Sequence, residues 1–183
     1  MFGLMLTVAL SLAPAEKSLD FWLGSWDFTM RSRTNPKADW TTSKGTNEVG
    51  RTLADKVILE EFTSPGLVGK SWSVYSVANK RWNQTWVDQN GGYLTFTGGP
   101  EGSNFILRTE EVKKVQSRMV FKNIQKDSFT WDWEGTRDGG KTWTLMLQID
   151  YTRAKQKEKL AHSKTLSEIR KTLTMLSLDR STV

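Results

Sequence analysis

Ten short segments of alternating apolar and polar residues, joined by connections too brief to carry a helix, dominate this chain between Asp20 and Arg153. Period-2 alternation over this length is the signature of a half-buried strand. The segments are residues 21–33, 40–49, 57–63, 70–77, 81–88, 93–98, 104–111, 117–123, 128–136 and 142–152. Turn chemistry separates them: Asn79-Lys80, Asn90-Gly91-Gly92, the run from Gly98 to Asn104, Lys126-Asp127 and Asp138-Gly139-Gly140. Parallel neighbours need a crossover of about a dozen residues or more, so these joints predict antiparallel pairing throughout. Trp, Phe, Val and Thr populate the segments, as a pleated surface prefers. Ten successive strands with no helical layer must dispose of their edges, and closure into an up-and-down barrel does so. The predicted fold is therefore an all-β, antiparallel up-and-down barrel of about ten strands, with a two-sheet sandwich as the alternative.

A ring of that size is wider than the ~8 strands that side chains can just fill, so it predicts a cavity. Residues 81–88 carry Trp82, Gln84, Trp86 and Asp88 on one face, and residues 128–136 carry Phe129, Trp131 and Trp133 on one face. Tryptophans converging on a few hydrogen-bonding groups are how apolar small-molecule pockets are lined. Trp82, Gln84, Trp86, Trp131 and Trp133 are thus the candidate ligand-binding residues, with Gln84 orienting a polar group. The competing reading is that the same tryptophans plug a dry core.

Composition removes several chemistries. There is no cysteine, which excludes thiolate metal sites, disulfides and a cysteine nucleophile. The one histidine, His162, follows the last strand, so neither a Ser–His–Asp arrangement nor a histidine metal site can form within the barrel. No catalytic residue, metal site or cofactor is assigned. Carboxylates are what remains: Glu60 and Glu61 point to opposite faces of their strand, so one of them should face inward. An inward carboxylate among aromatics could act as general acid or base, could pair with an inward arginine such as Arg108, or could anchor a ligand. Asp132 and Glu134 share the face opposite Trp131 and Trp133. An enzyme using Glu60 or Glu61 is the second functional reading.

Of 26 basic residues, eight lie beyond Tyr151, against three of the 20 acidic ones; the body is nearly neutral and the tail basic. That distribution argues against nucleic acid as a partner. In the tail, Leu166, Ile169, Leu173 and Leu176 recur at helical spacing, predicting an amphipathic C-terminal helix. It could pack on the barrel, or touch an anionic membrane surface through its basic residues. A third functional reading makes the protein a plugged barrel that acts on other molecules through this tail. At the other end, the apolar run FGLMLTVALSLAPA, with small residues Ala13 and Ala15, reads as a secretory signal peptide. The expected organisation is a signal over residues 1–15, a barrel over 16–153 and a tail over 154–183, in a periplasmic or secreted protein of undetermined oligomeric state.

Four motifs carry a resemblance: Asp20-Phe21-Trp22-Leu23-Gly24-Ser25-Trp26-Asp27, Arg81-Trp82-Asn83-Gln84-Thr85-Trp86-Val87-Asp88, Gly91-Gly92, and Asp138-Gly139-Gly140-Lys141-Thr142-Trp143. In this order the chain resembles a bacterial family of small secreted barrels, a domain of unknown function. The Leu-Gly-x-Trp opening is similar to that of calycins, shared more remotely with lipocalins, fatty-acid-binding proteins and nitrobindin-like haem barrels. The resemblance implies a calycin-like barrel in which Gly24 and Trp26 close the base. It brings no activity. The nitrobindin-like branch holds haem through a late histidine that this chain lacks; Tyr75, Tyr93 and Tyr151 are the remaining candidate ligands, and haem is disfavoured. The stretch from Thr136 to Trp143 also fits the Asp-box pattern of sialidase-type propellers. With one copy it reads as a hairpin cap rather than a carbohydrate site.

Overall fold

The computed structural model describes residues 14–155. They form ten strands: β1 (Gly24–Ser32), β2 (Thr41–Thr52), β3 (Val57–Ser64), β4 (Leu67–Ser76), β5 (Arg81–Asp88), β6 (Tyr93–Glu101), β7 (Asn104–Arg108), β8 (Gln116–Lys122), β9 (Ser128–Thr136) and β10 (Thr144–Arg153). Each pairs antiparallel with its neighbours in sequence, and β1 closes on β10. The barrel has no free edge, which is the condition that made closure the expected answer. The expected signal lies almost wholly outside the described residues, and so does the expected tail helix.

Of the segment boundaries that move, three have a clear local cause. The strand expected from residue 21 begins at Gly24, because Asp20–Trp22 is a 3-10 turn that sends Leu19 and Trp22 into the base. Gly24 turns the chain into β1 at φ +125°, a conformation open to glycine. The strand expected through residue 111 stops at Arg108, where a turn with Lys113 and Lys114 at positive φ is closed by reciprocal Val112 and Val115 amide bonds. The joint expected from Gly98 is instead strand: β6 continues through Pro100 to Glu101. Gly98 permits this, since a Cβ there would stand 2.0 Å from the Ile106 carbonyl oxygen on β7.

The interior has two halves. All turns that join an even strand to the following odd strand lie at the end where the N-terminal segment sits, and this base is filled. Trp26, Trp82, Phe105, Phe121 and Phe129 are buried there, in edge-on and tilted contacts 4.9–6.2 Å between centroids. Trp26 donates its indole N–H to the Trp22 carbonyl at 2.7 Å. Arg153, the last residue of β10, lies over the Trp26 ring at 4.1 Å. It also donates to the Leu23 carbonyl at 3.1 Å, the Lys126 carbonyl at 2.8 Å and the Asp127 carboxylate at 3.0 Å. One side chain thereby ties the chain entering β1, the β8–β9 turn and the end of β10. The closing role that the resemblance implied for Gly24 and Trp26 matches this geometry: a Cβ at Gly24 would meet Arg153 Nη1 at 2.3 Å.

Charge-assisted hydrogen bonds each contribute about 1.5–3 kcal/mol. Arg153→Ala, which removes several of them and uncovers Trp26, should lower the unfolding free energy by about 3 kcal/mol. Urea titration followed by near-ultraviolet circular dichroism measures it; a change below about 0.5 kcal/mol would mean that the base is held by packing alone.

Candidate functional site

The opposite half of the barrel is open. Four inward side chains of β4 and β2 are small, Gly69, Ser71, Ser73 and Gly45, and they leave room that aromatic residues only partly take up. The Trp86 indole lies across Gly69, where a Cβ would come within 2.2 Å of the ring, and the Phe28 ring lies across Gly45. What remains is a cavity of about 190 Å³. Trp22 forms part of its wall toward the filled base, and Leu67, Trp86 and Leu94 lie at its outer end. Leu94, 39 % exposed, marks the mouth. Both readings of the tryptophans thus apply, each to one half of the barrel.

All five candidate residues point inward. Gln84, Trp86, Trp131 and Trp133 line the cavity, with the last two stacked at 6.2 Å. Trp82 does not line it. It sits in the base and donates to Ser18 Oγ at 3.0 Å and the Ala15 carbonyl at 3.3 Å. Alternation along β5 places Trp82 on the right face, while its position near the start of the strand puts it at the closed end. Sequence reasoning missed Met30, Phe62, Phe96, Met119, Leu147 and Ile149, which supply much of the apolar wall. Their signal was present as inward alternation, but they carry no chemistry that singles them out.

The carboxylates sort cleanly. Glu60 faces inward and lines the cavity, whereas Glu61 faces outward and pairs with Lys70. Asp132 and Glu134 lie on the outer face of β9. Asp132 is held by Lys122 and by Gln148 Nε2 at 2.7 Å, and Glu134 by Arg118 at 2.6 Å. Arg108 is not an inward partner for Glu60: it faces outward and binds Glu101. Of the three tyrosines considered, Tyr93 is exposed on the outside, and Tyr75 packs against Trp82 in the base. Tyr151 lines the cavity.

A polar wall therefore runs across β2–β5 in an otherwise apolar interior. Glu60 stands opposite Ser71 and accepts from Ser71 Oγ at 2.6 Å and from Asn47 Nδ2 at 2.8 Å. Gln84 donates to Ser73 Oγ at 2.9 Å. Burial pushes the Glu60 carboxyl up from 4.5 to about 7, against the lowering effect of its two donors. Burial and the neighbouring Glu60 charge push the Tyr151 phenol well above its ordinary 10. The indole N–H of Trp22 is buried with no hydrogen-bond partner among the described residues.

Turns at the open end are stiffened by aspartates. Asp88 accepts from the Trp86 indole at 2.9 Å and from the Asn90 and Gly92 amides, so the turn that caps β5 also fixes a wall residue of the cavity. These bonds hold its carboxyl below the usual range, the Trp86 bond foremost. The Asp-box stretch is the hairpin cap expected of it: Asp138 accepts from the Thr142 amide and hydroxyl and from Thr136 Oγ1. Trp143 packs outside the barrel under Arg118, not in the cavity. A bulge in β10 shifts its register, pairing Leu145 with outward Glu134 but Leu147 with inward Trp133.

Residues 13–153 match the family described as protein of unknown function DUF1579, and the chain belongs to that family. No curated protein matches its sequence. Among solved structures, the barrel is similar to Rv2717c from M. tuberculosis, with 14 % identity and a TM-score of 0.54 over 79 % of this chain and 100 % of that one. It is also similar to the S-type phycobiliprotein lyase CPES from Guillardia theta, with 15 % identity and a TM-score of 0.52 over 78 % of this chain and 93 % of that one. Likeness at this identity establishes a shared barrel fold.

A carboxyl whose folded pKa stands above its unfolded value stabilises the fold fully below the unfolded value, and that contribution is lost as pH rises through the folded one. For Glu60 the window runs from 4.5 to about 7, worth about 3 kcal/mol at ~1.4 kcal/mol per pH unit. Glu60→Gln should therefore gain about 3 kcal/mol relative to the parent between pH 4.5 and pH 8. Urea unfolding of both proteins across that range tests it; a constant difference would place the Glu60 titration at its ordinary pH.

Proposed function

Because the family carries no activity with it, we propose from the cavity itself that this protein binds a small, largely apolar molecule and releases it unchanged. The observation that supports this is the division of the interior. The base is packed with aromatic rings, while the open half keeps a cavity that larger residues on β4 would have filled. An apolar void of ~150 Å³ is enough to admit benzene, so about 190 Å³ suits a single substituted ring or a short alkyl group. Drug-sized ligands need roughly 300–1,000 Å³, and would have to extend through the mouth past Leu94.

The reading needs no cofactor. Haem is a poor fit to these residues. Among the described residues there is no histidine, and Tyr151, the tyrosine that lines the cavity, has its phenol proton held where a phenolate ligand needs it gone. A periplasmic or secreted location remains our proposal, from the apolar run that ends at Ala15. Cleavage there would remove one acceptor of the Trp82 indole and leave the nearer one, Ser18 Oγ.

One observation favours a second reading. A carboxyl that titrates at about 7 is placed where a general acid or base works best. The two readings separate on turnover: an enzyme with Glu60→Gln would bind its substrate and fail to convert it.

Toluene, as a ring-sized probe, should quench the tryptophan fluorescence of the parent protein and raise its melting temperature. Leu147→Trp, which fills the cavity from β10, should abolish both effects while leaving the far-ultraviolet spectrum intact. Trp131→Ala should weaken binding about tenfold, the value of one lost aromatic contact of ~1.4 kcal/mol. No response to toluene, or an undiminished response in Leu147→Trp, would place binding outside the cavity.

A further inference from the structure

We propose that the cavity selects an organic cation: a primary or substituted amine on a ring-sized apolar body, its ammonium directed at Glu60 and its body held by the aromatic wall. This rests on the cavity being a ligand site and adds the class of ligand it takes.

Three observations lead to it. First, among the described residues Glu60 is the one carboxylate or cationic side chain that lines the cavity. Around it β2 presents Asn47, β4 presents Ser71, β5 presents Gln84 and β10 presents Tyr151. Of these only Tyr151 titrates, and it stays protonated. Asp88, also on the inner face of β5, lies at the strand's outer end and is engaged with its own turn. Among the described residues no lysine, arginine or histidine lines the cavity, so none of them gives the Glu60 carboxylate a counter-charge within it. A buried carboxylate without a partner is costly, and an entering cation removes that cost.

Second, both hydrogen bonds that Glu60 makes arrive from donors, Asn47 Nδ2 and Ser71 Oγ. They orient the carboxylate and partly support its charge without neutralising it. Each oxygen keeps a lone pair for an ammonium proton. Third, six aromatic side chains stand with aliphatic ones in the rest of the wall, Trp22, Phe62, Trp86, Phe96, Trp131 and Trp133. Aromatic faces attract a desolvated cation. The same wall offers an anion no cationic side chain among the described residues, and a carboxylate entering head first would meet Glu60. The site is thus built against fatty acids and other organic anions as much as for amines.

Proton linkage gives the inference a signature that does not depend on knowing the natural ligand. Below about 7 the free site holds a proton on Glu60, and an ammonium can enter only as that proton leaves. Amine affinity should therefore fall about tenfold per pH unit below that point and level off above it. A neutral ligand should show no such slope.

The test uses three probes that share a ring and chain length: 2-phenylethylamine, 2-phenylethanol and phenylacetate, titrated at pH 8 and pH 6 by calorimetry. The expected order at pH 8 is amine over alcohol by tenfold or more, with phenylacetate not bound. At pH 6, close to one proton should be released per amine bound, read from the heats in two buffers of different ionisation enthalpy. In Glu60→Gln the amine should lose about 30-fold or more, while the alcohol keeps its affinity; retained alcohol binding certifies that the variant folds. Should it not fold, the proton count on the parent protein decides alone. Equal affinities for all three probes, a preference for phenylacetate, or amine uptake with no proton released would overturn the inference while leaving the cavity a binding site. Binding of none of the three would overturn both.

Discussion

Closure of β1 onto β10 is the constraint on which everything else rests. Ten antiparallel strands without a covering layer are tolerable only when the last pairs with the first, since an open sheet of this length would present two long edges. The register that closes the ring runs from Trp26 opposite Arg153 to Ser32 opposite Leu147. Its lower end is fastened by side chains rather than by strand pairing alone. Arg153 spans the seam, covering Trp26 and bonding the backbone on both sides of it. The N-terminal 3-10 turn then pushes Leu19 and Trp22 into the base. A ring too wide to be filled everywhere is in this way filled at one end, and the unfilled remainder is displaced toward the other.

How that remainder became a cavity with one polar wall follows from β4. On its inner face Gly69, Ser71 and Ser73 alternate with Lys70, Trp72 and Val74 on the outer face. The orientation is fixed by neighbours: Lys70 lies opposite Glu61 and pairs with it outside, and Ser71 lies opposite Glu60 and donates to it inside. Reversing the strand would bury Lys70 and expose the serines. Trp72 is left 41 % exposed as the consequence. The small inner residues cede volume to Trp86 and to the empty space beside it, and their hydroxyls keep Glu60 and Gln84 from being unsatisfied.

Much of this is legible in the sequence. All ten strands follow from alternation and turn chemistry, because a two-residue period is hard to satisfy in any other conformation. The inward direction of Trp82, Gln84, Trp86, Trp131 and Trp133 follows as well. Height along the barrel does not. Alternation assigns a residue to a face and says nothing of whether that level is packed or hollow, which is why Trp82 belongs to the base and Trp86, four residues on, to the cavity. The start of β1 is set later than the pattern implies because Trp22 falls in step with Trp26, Phe28 and Met30 although a 3-10 turn carries it. In β10 a bulge at Leu145–Leu147 changed the face within one apparently regular run. A rule that sends aromatics inward would also misorient β4. There the deciding facts are cross-strand pairings, which a single strand's sequence does not contain.

Glu60 is where fold and function make opposite demands. A leucine of similar bulk at this position would complete an apolar interior and spare the cost of burying a carboxyl. The carboxyl is present, with two donors turned toward it and no cationic side chain among the described residues that line the cavity, and its proton is balanced near neutrality. Structural need alone would be met more cheaply by a neutral amide bonded to the same Asn47 and Ser71. Stability that a protein forgoes at one inward-facing group, in a cavity it could have closed, is most economically explained by something that enters and restores it. On the proposed reading that entrant is a cation, and the wall suits it: two hydrogen-bond donors hold Glu60 on one side, aromatic and aliphatic side chains surround the rest, and an ammonium would supply the counter-charge.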